Sequence, residues 1–213
     1  MTYSVKEIYL TIQGEGVQAG VPAVFLRFSG CNLWSGREVD RKGAICKFCD
    51  TDFIGINGVN GGKFNTADEL AEVVEKIGLK RSQRWVVCTG GEPLLQLDNA
   101  LIEALHSKNF KIAVETNGTI KAPKGIDWIC VSPKANTEIK QTFGNELKLV
   151  YPQKENEPSK YENMDFDFFC LQPRDDSYLG KGNFSHEKAV IKFCLENPKW
   201  RLSIQTHKYL GIM

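Results

Sequence analysis

Cys31, Cys46 and Cys49 lie in one stretch, GCNLWSGREVDRKGAICKFCDTDF, with fourteen residues between the first two and two between the last pair. Thiols gathered at such spacing suit a metal. Zinc in a structural site takes four protein ligands, commonly as two close pairs. Here there is one pair and one lone cysteine, and His106, His186 and His207 are all distant in sequence. A 4Fe–4S cluster is also held by thiolates. With only three of them, one iron keeps a position for a substrate or cofactor. The residues thus favour iron–sulfur; zinc is the alternative, and it needs a fourth ligand from elsewhere. A third reading, three unrelated core cysteines, fits badly with the polar, Lys-rich loop around Cys46 and Cys49. Cys88, Cys130, Cys170 and Cys194 stand inside apolar runs and read as small core residues.

Composition narrows the field. The chain has 213 residues, 27 basic and 26 acidic, for a net charge of +1. That balance gives no argument for nucleic acid or anionic lipid as a direct partner. No segment approaches the ~20 apolar residues of a membrane span. The opening MTYSVKEIYL lacks a basic region followed by an apolar run, so no signal peptide is expected. The cytoplasm, where thiols stay reduced, is the expected compartment. Seven cysteines, an odd number, suit a disulfide framework poorly.

The elements that must position these cysteines alternate between strand and helix or loop. PAVFLRF, RWVVC, KIAVET, DWICVS, ELKLVY, DFFCLQ and WRLSIQTH read as strands. NTADELAEVVEKI, capped by Asn65 or Thr66, DNALIEALHS and a segment from about 185 to 196 read as helices. Seven strands with so few helices require some crossovers to be loops. The expectation is an α/β fold: a partial, open TIM-like barrel of about six or seven mostly parallel strands with reduced helical cover, in one domain over 1–213, with 31–64 as cluster-binding and inserted loop region. In such folds ligands sit at the carboxyl ends of the strands. Those ends carry Gly30–Cys31, Thr89-Gly90-Gly91-Glu92-Pro93, Glu115-Thr116-Asn117-Gly118, Ser132-Pro133-Lys134 and Gln172-Pro173-Arg174-Asp175. Glycines at these ends let backbone approach a ligand closely.

Three cysteines after a first strand and GGEP after a second resemble the radical S-adenosylmethionine (radical SAM) superfamily. Its usual spacing between the first two cysteines is three residues. Stretching that loop to fourteen costs roughly 1–1.5 kcal/mol of closure entropy, small beside metal–thiolate bonds. The long spacing, together with TIQGEG, FCDTDF, CTGGEP, ETNG, VSPK and QTHKYL, is similar to the 7-carboxy-7-deazaguanine synthase family, from Val5 to the C-terminus.

The resemblance implies conversion of 6-carboxy-5,6,7,8-tetrahydropterin to 7-carboxy-7-deazaguanine with loss of ammonia, on a route to 7-deazapurines such as queuosine. It implies a 4Fe–4S cluster on Cys31, Cys46 and Cys49, SAM as a regenerated cofactor, and Mg²⁺ on Thr51. It also implies a homodimer and an electron donor such as flavodoxin. SAM contacts carry over to Phe48, Cys49 and Asp50, to Gly91, to Ser132, Pro133 and Lys134, and to Gln172, Pro173, Arg174 and Asp175. Substrate contacts carry over to Ile12, Gln13, Gly14, Arg27, Thr89 and Met213. Arg27 lies inside an apolar strand, where its charge is costly to bury without an anion. A carboxylate substrate can supply one, as can Glu15 or another acid. For Thr51 the competing reading is a hydroxyl bonded to its own turn. Rival functions are a radical SAM activase acting on a partner protein and a non-catalytic zinc-binding module.

Overall fold

The computed structural model describes residues 2–78, 84–176 and 184–213. Its strands are β1 (Tyr3–Ile12), β2 (Pro22–Phe28), β3 (Gly62–Phe64), β4 (Arg84–Gly90), β5 (Phe110–Thr116), β6 (Trp128–Val131), β7 (Phe143–Tyr151), β8 (Asp165–Pro173) and β9 (Trp200–Leu202). Helices α1 (Ala67–Ile77), α2 (Asn99–Ser107), α3 (Phe184–Glu196) and α4 (Thr206–Leu210) join them. Among the described residues the nine strands form one sheet, in the order β3-β1-β2-β4-β5-β6-β7-β8-β9. The seven strands expected from sequence, β2 and β4 to β9, are all parallel neighbours. The other two were not anticipated: β1 runs antiparallel to both β2 and β3 on one flank.

The helical cover is thin, as the strand count required. Residues 117–127 and 132–142 cross between parallel strands with no helix. Where helices do form, their starts are chemically marked. The Thr66 hydroxyl accepts from the Glu69 amide, and Glu69 accepts from the Asn65 amide in return, a reciprocal cap. Thr66, not Asn65, is therefore the N-cap of α1. Asp98 caps α2 the same way through the Leu101 amide.

Alternation along the strands separates two faces. One packs on the helices: Leu26, Val86, Cys88 and Ile112 against Leu70, Leu101 and Leu105, then Leu147, Leu149 and Leu171 near Val190 of α3. The other carries Ala23, Val87 and Ala113 low down and polar groups at the carboxyl ends. β1 and β7 stand five strands apart, about 24 Å if the sheet were flat. Yet the Val17 amide, just after β1, donates to Glu146 of β7 at 3.1 Å. The sheet therefore curls toward a barrel. The gap between its ends is bridged by the loop after β1. The Gly16 amide donates to Ser203, the Thr206 amide and hydroxyl donate to the Gly14 carbonyl, and Gln205 donates to Glu15.

Candidate active site

A cavity of about 590 Å³ opens where the parallel strands end, within the usual range for a small-molecule site. Cys31, Cys46 and Cys49 all line it. Cys31 follows β2 directly; Cys46 and Cys49 come from the loop that leads on to β3. All three thiols are free. Burial pushes the Cys49 thiol up to about 11 and raises that of Cys31, so a metal must displace protons to bind there. Among the described residues no three His, Cys, Asp or Glu side chains converge tightly enough for a single ion. A cluster, whose irons each take their own thiolate, asks for wider spacing than one zinc. The donor set, three free thiols lining one cavity, fits an iron–sulfur group.

Gly90, the last residue of β4, and Gly91 after it bring that strand against the cysteines. A Cβ on Gly91 would stand 2.2 Å from the Gly30 carbonyl oxygen and 2.8 Å from Cys31 Cβ. Only glycine permits this approach. The next residue, Glu92, is fully buried and does not line the cavity. Its carboxylate accepts from the Leu94 amide, the Thr116 hydroxyl and the Asn117 amide at 2.7–3.0 Å. The motif glutamate thus fastens the end of β4 to the end of β5.

Most residues carried over by resemblance meet at the same cavity. Phe48, Asp50, Thr51, Gly91, Ser132, Lys134, Gln172, Pro173, Arg174 and Asp175 line it, as do Ile12, Gln13, Gly14, Arg27, Thr89 and Met213. Pro133 is the exception: it is buried behind the wall, its carbonyl accepting from Gln153 at 3.3 Å. Several have protein partners. Lys134 Nζ donates to the carbonyl and hydroxyl of Ser132. Arg174 forks onto Asp176. Arg27 Nε meets Glu7 at 2.8 Å, and its far nitrogen meets the Tyr9 hydroxyl at 3.1 Å. The counter-charge for Arg27 is therefore Glu7 and not Glu15, so burial alone does not demand a ligand anion there.

Glu15 has another role. Lys148, in the middle of β7, is 4% exposed and contacts Glu15 at 2.8 Å and Glu115 at 2.9 Å. Burial alone would raise the Glu15 carboxyl, but Lys148 and then Gln205 override it and hold it at about 2. Gln13 reaches Glu115 at 3.3 Å and accepts from the Glu15 amide. These charges line the cavity, and sequence reasoning missed them. The signal was present: Lys148 interrupts the apolar run ELKLVY as Arg27 interrupts PAVFLRF. His207 also lines the wall. It stands where a Cβ on Gly14 would lie, 2.4 Å from Nδ1. Lys208 bridges Asp50 and Asp175, tying the cysteine loop to the end of β8.

Comparison with known proteins places this geometry. The sequence profile of the radical SAM superfamily matches residues 43–139. Relatives named 7-carboxy-7-deazaguanine synthase include that of Caulobacter vibrioides, 60% identical over 213 residues and covering 100% of both chains. That of Bordetella pertussis is 54% identical with the same coverage, and that of Bacteroides thetaiotaomicron 36% identical over 212 residues, again 100% of both. In fold, the chain is similar to the crystal structure of QueE from Escherichia coli, with TM-score 0.68 at 23% identity, over 96% of this chain and 94% of that one.

Proposed function

Because the chain belongs to the 7-carboxy-7-deazaguanine synthase family within the radical SAM superfamily, we propose that its cavity converts 6-carboxy-5,6,7,8-tetrahydropterin to 7-carboxy-7-deazaguanine with release of ammonia. The observation that carries this reading is the meeting of three free thiols with Arg27, Gln13 and Thr89 around one cavity. Cys31, Cys46 and Cys49 would hold the 4Fe–4S cluster. Ser132, Lys134 and the 172–175 segment would meet SAM. When bound, cluster and SAM together supply a 5′-deoxyadenosyl radical that takes a hydrogen atom from the substrate.

The chain's own residues orient and enclose. The loop at 13–16, roofed by Gln205 and Thr206, offers backbone and amide groups to the pterin ring. Arg27, steadied by Glu7 and Tyr9, presents its remaining donors to the carboxylate. The reading assigns 1–213 to a single radical SAM domain with 31–64 as the cluster-binding insertion. It adds a homodimer, an electron donor such as flavodoxin, and a cytoplasmic location. Among the described residues no helix is long and apolar enough to cross a membrane. Anaerobic reconstitution with mass analysis of the pterin reaction tests the whole. Turnover by the chain alone supports it; turnover only with an added protein substrate would favour the activase.

Arg27→Met separates substrate from cofactor. A charge-assisted hydrogen bond is worth about 1.5–3 kcal/mol, so pterin turnover should fall roughly 10- to 100-fold. SAM cleavage without pterin should stay near the wild-type rate. Equal loss of both in a folded protein would refute the assignment.

We also propose that Thr51 carries Mg²⁺, which would orient the substrate carboxylate. Mg²⁺ takes few protein ligands and keeps several waters. Thr51 lines the cavity. Its neighbour Asp52 is engaged by Lys6 at 2.8 Å. In a Mg²⁺ titration at saturating SAM and reductant, wild-type turnover should rise and Thr51→Ala should lose most of the response. An unchanged response in the variant, or a wild type indifferent to Mg²⁺ after chelation, would return Thr51 to its turn.

A further inference from the structure

The fourteen residues between Cys31 and Cys46 contain a brace for the loop that follows them. Residues 46–54, which include Cys46 and Cys49, belong to no helix or strand. No ladder of backbone hydrogen bonds fixes their shape. Arg41 sits in a short 3-10 turn, Glu38–Gly43, and its guanidinium is committed on every side. One nitrogen donates to two carbonyls, Lys47 O at 3.0 Å and Cys49 O at 3.1 Å. The other two meet both oxygens of Glu38 at 2.7 and 2.5 Å. The flat face lies 4.0 Å from the centre of the Trp34 ring. Trp34 is itself buried, its ring nitrogen donating to the Arg37 carbonyl at 3.1 Å and its edge against Phe53.

We propose that Arg41 is the positioning residue of the cysteine turn: it fixes the carbonyls of Lys47 and Cys49 and holds a permanent positive charge against the backbone of the turn that carries Cys49. The inference rests on the assignment of Cys31, Cys46 and Cys49 as cluster ligands. The chemistry is particular to arginine. A lysine keeps the charge but has neither the planar fork nor the stacking face that this arrangement uses at once. The charge matters because taking up an electron makes a thiolate-bound cluster more negative, and hydrogen bonds and nearby charge set its potential. A cation there favours the reduced form. Glu38, mostly exposed, contributes little stability as an ion pair. It aims the guanidinium and offsets part of its charge.

The test uses the full chain, anaerobically reconstituted, as wild type, Arg41→Gln, Arg41→Lys and Glu38→Gln. Three quantities are read: iron and sulfide per chain, the rate of iron loss to a chelator, and the midpoint potential from an electron paramagnetic resonance titration. Arg41→Gln should lose iron about tenfold faster and shift the midpoint to more negative values. Arg41→Lys should also lose iron faster while keeping a midpoint near wild type. Glu38→Gln should move the midpoint the opposite way, to more positive values. If Arg41→Gln does not fold, the other two variants decide. Wild-type iron retention in the arginine variants overturns the brace. Midpoints that stay put, or that move the same way in Arg41→Gln and Glu38→Gln, overturn the charge. A wild type that takes up no cluster would instead refute the assignment of the three cysteines.

Discussion

A Cys46→Ala protein should cleave no measurable SAM under reducing conditions, a loss of more than about 100-fold. Even outer partners of metal ligands are worth 10–100-fold. The acids next to the cysteines are already engaged. Asp50 already holds Lys208, and Asp52 holds Lys6. With two thiolates left, the cluster loses a corner and iron content should fall with activity. Cys88→Ala is the matched control. Its thiol is fully buried on the helix side of the sheet, so its loss should cost about 1 kcal/mol of packing and spare the chemistry. Cys194→Ala should behave likewise. The measurements are 5′-deoxyadenosine by mass spectrometry and iron per chain. Full activity in Cys46→Ala would sink the cluster assignment.

Lys148→Met should be the most destabilising single change in the cavity. It leaves Glu15 and Glu115 facing each other without the cation that now sits 2.8 and 2.9 Å from them. Removing one partner of a buried ion pair costs about 3–5 kcal/mol, which for a chain of this length lowers the melting temperature by roughly 6–20 °C. The melt can be read on the protein without its cluster, so it is independent of the chemistry. Adding Glu15→Gln should restore part of the loss. A fall of under about 1 kcal/mol would show the cluster to behave as a solvated surface pair.

The same charges set a pH window. Glu15 is held at about 2 against an ordinary 4.5. Its contribution is complete above 4.5 and is lost as pH falls toward 2. Lys148 is raised well above its ordinary 10.5, so its contribution is complete below 10.5 and is lost only on strong alkalinisation. Acidification from pH 4.5 to 2 should therefore destabilise the wild type more than Lys148→Met.

The seven parallel strands were legible because each is a short apolar run bounded by turn residues. β1 was not, and its ladder shows why. The register with β2 shifts between Val5 and Glu7, so both Val5 and Lys6 are buried and the two-residue alternation breaks where it would be counted. The meeting of Cys31, Cys46 and Cys49 at one cavity was legible from spacing, since the three are close in sequence. Glu15, His207 and Lys208 were not, because each meets a residue more than 100 positions away, Glu15 with Gln205, His207 against Gly14 and Lys208 with Asp50. Lys148 was missed although the argument applied to Arg27 fits it equally. Pro133 entered by its neighbours' resemblance and lies behind the wall.

The bridge between the loop at 13–16 and the segment at 203–207 has a consequence in time. The joined residues are 187 to 192 positions apart. On a ribosome adding about 5–20 residues per second, roughly 10–40 s separate their synthesis. For most of that interval Cys31, Cys46 and Cys49 exist while the residues that close over the 13–16 loop do not. The cavity cannot close on a nascent chain, however early its first strands pair. Delivery of an inorganic cluster thus has an open route that lasts until the final stretch is made. A chain ending before Ser203 would keep its cysteine turn and lose the means to seal it.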